Sequence, residues 1–294
     1  MPTRLATYRV GGRTTYGLIH DDGAVDLGKK LGSKYPALLD VIRGGPGALA
    51  EARAAGALAG TSGKPDYTLD EIQFVPPLPG AEKILCVGIN YPERAEEYKG
   101  ALAKPKYPNL FIRFQDSFVG HNGSLVRPKV SEKFDYEGEI VVVLGKQGRA
   151  VTPEAAKSMI FGLTLGNEGS VRDWMRHGTS NITQGKNFDA SGSMGPWIVP
   201  ADEVDPFQKL RVTTRINGEV RQDDTTDRLS WSFADLISYI STFTTLRPGD
   251  MIFSGTPVGA GGHQDPPKWL VPGDVFEVEV AQIGKLRNPV VDET

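Results

Sequence analysis

Apolar residues in this chain come in short runs rich in Val, Ile, Phe and Thr, about five at the longest as in residues 140–144, and Gly and Pro cut them apart. Runs of that length suit strands, whereas a packed helix needs a pattern sustained over ten or more residues. The 35 glycines and 21 prolines exceed what a helical bundle tolerates, since each one inside a helix costs about 1 to 3 kcal/mol. The predicted fold class is therefore mainly β with a few helices (α+β), its strands pairing with partners far along the chain. No stretch nears the roughly 20 apolar residues of a membrane helix.

Composition removes several function classes. The 294 residues carry 33 Lys+Arg against 36 Asp+Glu, a net charge of -3, which supplies no counterion-release drive toward nucleic acid. The single Cys86 excludes an intramolecular disulfide framework and a cysteine zinc cluster. With no charged-then-apolar leader at its start, the chain reads as cytoplasmic.

Residues 4–27 read as two or three strands turned at Gly11-Gly12 and Asp21-Asp22-Gly23, and the Ala-rich residues 34–58 as helix. Pro76, Pro77 and Pro79 remove three donors within four positions, so neither helix nor ladder continues there. A boundary at this point gives a small N-terminal α+β domain, 1–75, and a larger domain, 76–294. Further strands are predicted over 84–88, 110–114, 139–144, 161–165, 210–216, 251–254 and 275–280. Helices are predicted over 92–99, 153–158 and 232–242, and Asn217-Gly218 marks a hairpin.

The chemistry concentrates in Asp135-Tyr136-Glu137-Gly138-Glu139. Residues two apart in a strand share a face, so Glu137 and Glu139 lie side by side, with Gly138 leaving the other face open. Two such carboxylates need a proton or a cation, and an all-oxygen set favours Mg²⁺, Mn²⁺ or Ca²⁺; alternatively they are simply solvated at a strand end. Glu168, between glycines at the end of another apolar run, is a candidate third acid. Lys186, in Gly185-Lys186-Asn187, is a candidate stabiliser of an oxyanion. The Gly255-Thr256-Pro257 turn offers amides and a hydroxyl to a carboxylate. No phosphate-binding glycine motif is present.

In order along residues 83–288, the segments Ile84-Leu85-Cys86-Val87-Gly88-Ile89-Asn90-Tyr91, Asp135–Glu139, Gly185–Asp189, Gly195-Pro196-Trp197, Asn217-Gly218-Glu219 and Leu246–Asp250 running to Gly255-Thr256-Pro257 resemble the fumarylacetoacetate hydrolase family. The resemblance implies a mixed β-roll or flattened barrel core and a homodimer. It also implies a divalent metal, usually Mg²⁺ or Mn²⁺, on Glu137, Glu139 and Glu168, and small dicarbonyl or 2-oxo acid substrates. Two positions depart from the family's pattern. Glu168 stands where an Asp is common, which keeps the oxygen donor. Arg94 stands where the family has a His, and a guanidinium cannot take a proton from water.

Three readings stay open. Glu97 acts as base alone while Arg94 clamps a substrate carboxylate or pairs with an acid; or His121 enters the site and supplies the imidazole; or the scaffold has lost its chemistry. The function expected is hydrolysis of a carbon–carbon bond in a 2,4-dioxo acid through a metal-stabilised enolate, in catabolism of aromatic compounds or sugar acids. A metal-dependent lyase or isomerase, or a small-acid binding protein, is the alternative. Arg113, Tyr91, Thr256 and Gly255 are the expected substrate contacts.

Overall fold

The computed structural model describes residues 2–57, 64–98, 106–179 and 181–294. Leu58 and Lys99, expected helix ends, and Ser180, in the loop over 176–183, lie outside the described residues. The strands that carry the architecture are β1 (Leu5–Val10), β2 (Arg13–His20), β3 (Gly23–Asp26), β4 (Ile84–Val87), β5 (Leu110–Ile112), β6 (Leu125–Arg127), β7 (Gly138–Leu144), β8 (Ile160–Asn167), β9 (Gly192–Pro200), β10 (Arg211–Ile216), β11 (Glu219–Thr225), β12 (Met251–Phe253), β13 (Val275–Val280) and β14 (Gly284–Asp292). One sheet runs β3-β2-β1-β9-β8-β7-β12-β4-β5, and a second runs β11-β10-β13-β14-β6. The fold is thus mostly β, and neither sheet closes into a barrel among the described residues.

Strand β7 lies inside the larger sheet, between β8 and β12, which is why its sequence is continuously apolar. Its side chains alternate between two cores. Val141 and Val143 pack with α1 (Leu38–Arg43) and α2 (Gly45–Gly56), while Ile140, Val142 and Leu144 join the core between the sheets, where α3 (Phe233–Ser241) also packs. Glu139 therefore shares the Val141 face and Gly138 the Ile140 face. The face beside Gly138 is not open as expected. It lies against β10, so close that a methyl group there would sit 2.0 Å from Thr214 Oγ1.

The leading strands extend the same sheet, with β1 pairing antiparallel to β9 at Leu5↔Ile198. Strand β9 is not among the predicted strands, and its sequence holds two glycines and two prolines. Pro196 falls where the pairing of β9 with β8 shifts register, between Leu163 and Leu165, so the missing donor is tolerated there. The Asn217-Gly218 hairpin forms with both residues at positive φ, 52° and 81°, and Ser232 with Asp235 builds a capping box at the start of α3. No helix among the described residues is long and apolar enough to cross a membrane.

Candidate active site

Two neighbouring strand ends bring the acids together. Glu137 immediately precedes β7 and Glu168 immediately follows β8, and the register Gly138↔Asn167, Glu139↔Gly166 sets them side by side. Glu168 N donates to Glu137 O at 2.8 Å, and Glu137 N donates to Asn167 Oδ1 at 2.9 Å. Lys186 closes a single helical turn, Thr183–Lys186. Its Nζ donates to Glu137 Oε2 and Glu168 Oε2, each at 2.5 Å, and to Ser170 Oγ at 2.6 Å. Glu137, Glu139, Glu168 and Lys186 are all buried.

Charge pairing differs sharply among the three acids. Burial alone would raise the Glu137 carboxyl, but Arg172, Lys186 and Arg94 around it hold it well below the usual range. Arg172 reaches Glu137 Oε1 at 2.9 Å while its Nε holds Asp135 Oδ2 at 2.7 Å. Burial pushes Glu168 up to about 7 despite Lys186 beside it, and Arg113 Nη1 contacts its Oε1 at 3.1 Å. Glu139 makes no ion pair among the described residues; its Oε2 accepts only the Gly255 amide, at 2.7 Å. Burial, then Glu168 and Glu137, raise it well above the ordinary carboxyl value. Burial works against the Lys186 ammonium, but Glu137 and Glu168 more than offset it, and its pKa is raised.

Arg94 is fully buried. One guanidinium nitrogen pairs with Glu97 Oε2 and the other with Glu137 Oε1 at 2.5 Å. Glu97 Oε1 accepts the Gly259 amide at 2.8 Å. Both Glu97 oxygens are thus engaged, and of the options left open for Arg94 the structure realises pairing with an acid.

Two adjoining cavities flank this network. One, about 170 Å³, is lined by Glu137, Glu168, Lys186, Arg172, Met175 and Arg176 among others. The other, about 310 Å³, is lined by Glu97, Gly262, His263, Trp269 and the same Arg172, Met175 and Arg176.

Several expected residues have other work. His121 does not enter the site: its Nδ1 accepts the Arg287 amide at 3.1 Å and its ring stands edge-on to Phe74. Arg113 is buried and committed to Glu168, Gly169 O and Ser191 Oγ, so it braces an acid rather than meeting substrate. Tyr91 is part of the core between the sheets. Thr256 Oγ1 donates to Gly138 O and accepts from Gln222. The Gly255 amide does hold a carboxylate, but it is the protein's own Glu139.

Three participants carry no role in the sequence reading. Arg172 and Asp135 lie inside its motifs, but only the fold pairs them. Asp135 also accepts the Gly261 and Gly262 amides at 2.8 and 3.0 Å, which fixes the loop presenting His263. Burial, then Arg94 and Arg172, bring that imidazole down to about 4, so it is neutral at pH 7.

By donor type the acids fit a hard divalent ion: the oxygens are carboxylate only, buried, and one of the three acids has no ion pair among the described residues. They are not gathered around one point, however. Among the described residues no three His, Cys, Asp or Glu side chains converge as a ligand set, and Lys186 Nζ bridges two of the three.

Comparison with known proteins gives a consistent picture. The family model described as fumarylacetoacetate (FAA) hydrolase C-terminal matches residues 83–291. The human mitochondrial oxaloacetate tautomerase FAHD2A is 36% identical over 222 residues, 75% of this chain and 70% of that protein. Fumarylacetoacetate hydrolase from psychrophilic Exiguobacterium antarcticum superposes with a TM-score of 0.80 at 28% identity, covering 99% of this chain and 100% of that one. The 5-carboxymethyl-2-hydroxymuconate delta-isomerase from Mycobacterium smegmatis superposes with a TM-score of 0.74 at 28% identity over 99% of each chain.

Proposed function

The chain belongs to the fumarylacetoacetate hydrolase family, and on that premise we propose that it moves a proton at the carbon beside the keto group of a 2-oxo acid, as a tautomerase or isomerase. The observation that carries this reading is the engagement of Glu97. One of its oxygens is paired with Arg94 and the other accepts the Gly259 amide, so with Arg94 standing where the family has its His, the acid left to activate water alone is tied at both oxygens to this chain's own donors. Proton transfer between carbon and oxygen needs no such water.

The chain's own groups suit the task. Lys186 places an ammonium among the acids, where it meets negative charge growing on the 2-oxo oxygen. Arg172, fixed by Asp135 and Glu137, forms a wall of both cavities. Glu137, Glu139 and Glu168 would hold a divalent ion, Mg²⁺ or Mn²⁺ by donor type; when bound, such an ion supplies Lewis-acid polarisation of the substrate's oxygens. Burial of these groups keeps water from competing for them.

A second reading is the hydrolysis of a carbon–carbon bond in a 2,4-dioxo acid, favoured by the neutral His263 imidazole in the same cavity as Glu97. One experiment separates them: magnesium-loaded protein is given oxaloacetate, followed at the enol absorbance, and separately acetylpyruvate, followed for released pyruvate. Accelerated enol–keto exchange without acylpyruvate cleavage is expected. Release of pyruvate and acetate with unchanged oxaloacetate exchange would replace the first reading with the second. A homodimer is part of the proposal on family likeness. FAHD2A bears a mitochondrial name, so a cytoplasmic location does not follow from membership of this family.

A further inference from the structure

Four cations surround the acids, and each already has an anionic partner. Lys186 is held by Glu137 and Glu168, Arg172 by Asp135 and Glu137, Arg94 by Glu97 and Glu137, and Arg113 by Glu168. Any of them could serve an incoming carboxylate only by giving up a pair in a buried setting, where an abandoned charge is expensive. Arg176 is different. It lines both cavities, it is exposed, and its guanidinium has no ion-pair or hydrogen-bond partner among the described residues.

The turn that carries it is well fixed. Arg176 ends the 3₁₀ turn Trp174–Arg176. Trp174 stacks on His177 at 4.2 Å between ring centres and meets Phe188 edge-on at 5.2 Å. Just before the turn, Arg172 is tied to Asp135 and Glu137. The backbone under Arg176 is therefore held while the side chain is uncommitted, an arrangement that presents a planar two-donor fork at the shared rim of the cavities.

We propose that Arg176 is a specificity-determining residue that receives a second carboxylate, at the end of the substrate away from its 2-oxo acid group, so that the enzyme selects 2-oxo dicarboxylic acids over monocarboxylic ones. This inference rests on the 2-oxo acid reading of the site and narrows its substrate class. The other wall residues agree with it: Met175 and Trp269 offer apolar surface to a carbon chain between the two charged ends.

The test uses two acids of equal length that this chemistry does not cleave, 2-oxoglutarate and 2-oxopentanoate, which differ by a terminal carboxylate against a methyl group. Their affinities for the full-length, magnesium-loaded protein are measured by calorimetry, with Arg176→Gln and Arg176→Lys alongside and a thermal melt of each. A charge-assisted pair of this kind predicts that the unaltered protein prefers 2-oxoglutarate by about tenfold to a hundredfold. Arg176→Gln should abolish the preference, and Arg176→Lys, which keeps the charge but not the fork, should retain part of it. Binding of both acids without preference, or a preference that survives Arg176→Gln in a folded variant, overturns the proposal and leaves the 2-oxo acid reading standing. Binding of neither acid overturns both.

Discussion

Replacing Arg94 by Met is the sharpest perturbation, because it removes a charge from the interior while nearly keeping its volume. The side chain is fully buried, so the cavity left is small and the loss is electrostatic. Removing one partner of a buried ion pair costs about 3–5 kcal/mol. Glu137 keeps Arg172 and Lys186, whereas Glu97 keeps the Gly259 amide, so the low end, about 3 kcal/mol, applies. An unfolding entropy of about 2.1 cal/mol/K per residue makes this a fall of about 5 °C in melting temperature for a chain of this length. Calorimetric melts at pH 7 of the unaltered protein, Arg94→Met, Glu97→Gln and the double variant would measure it. Because the cost lies in the orphaned Glu97, the double variant should regain about 2 kcal/mol over Arg94→Met alone. A single variant melting within about 1 °C of the unaltered protein, or a double variant no more stable than the single, would refute the reasoning.

Two further outcomes follow from the same charges. Glu139→Gln should abolish the rise in melting temperature caused by millimolar Mg²⁺ or Mn²⁺, since it removes the acid that has no ion pair; a metal-induced shift of unchanged size would remove Glu139 from the ligand set. His121 bears on acid stability: burial, then Arg287, depress its pKa to about 4. Its stabilising effect is thus full above the unfolded value near 6.5 and is lost as pH falls from there toward 4, where the unfolded chain binds the proton first. His121→Asn should flatten the stability profile in that window, and an unchanged slope between pH 6.5 and 4 would contradict it.

What the sequence makes legible is whatever sits in one contiguous stretch. The period-2 relation of Glu137 and Glu139 follows from the residues themselves, as does the placing of Glu168 at a strand end. The apolar run of β7 reads correctly as covered on both faces. Side-chain allegiance is another matter. Arg113 looks like a substrate contact and Arg94 like either a clamp or the partner of an acid, and only the fold shows that carboxylates of this chain already occupy both. His121, beside glycines, suggests a turn reaching the site, yet its loop is tied to β14 through the Arg287 amide. The His263 loop is anchored by Asp135, 126 residues away, a distance over which no spacing rule operates. Strand β9 is missed because its internal Pro196 coincides with a register shift that only pairing reveals.

Glycine 138 deserves its place for a reason unrelated to turning. With Thr214 Oγ1 only 2.0 Å from where its first side-chain carbon would stand, the separation between the two sheets beside the acids is set by a hydrogen atom. Even alanine, the mildest replacement, would act there as an inserted wedge, forcing β7 and β10 apart and shifting Glu137 and Glu139, which flank it on the β7 side. A mutational survey that regards glycines as pliable filler would misjudge this position, since a single methyl group there meets the facing sheet at once.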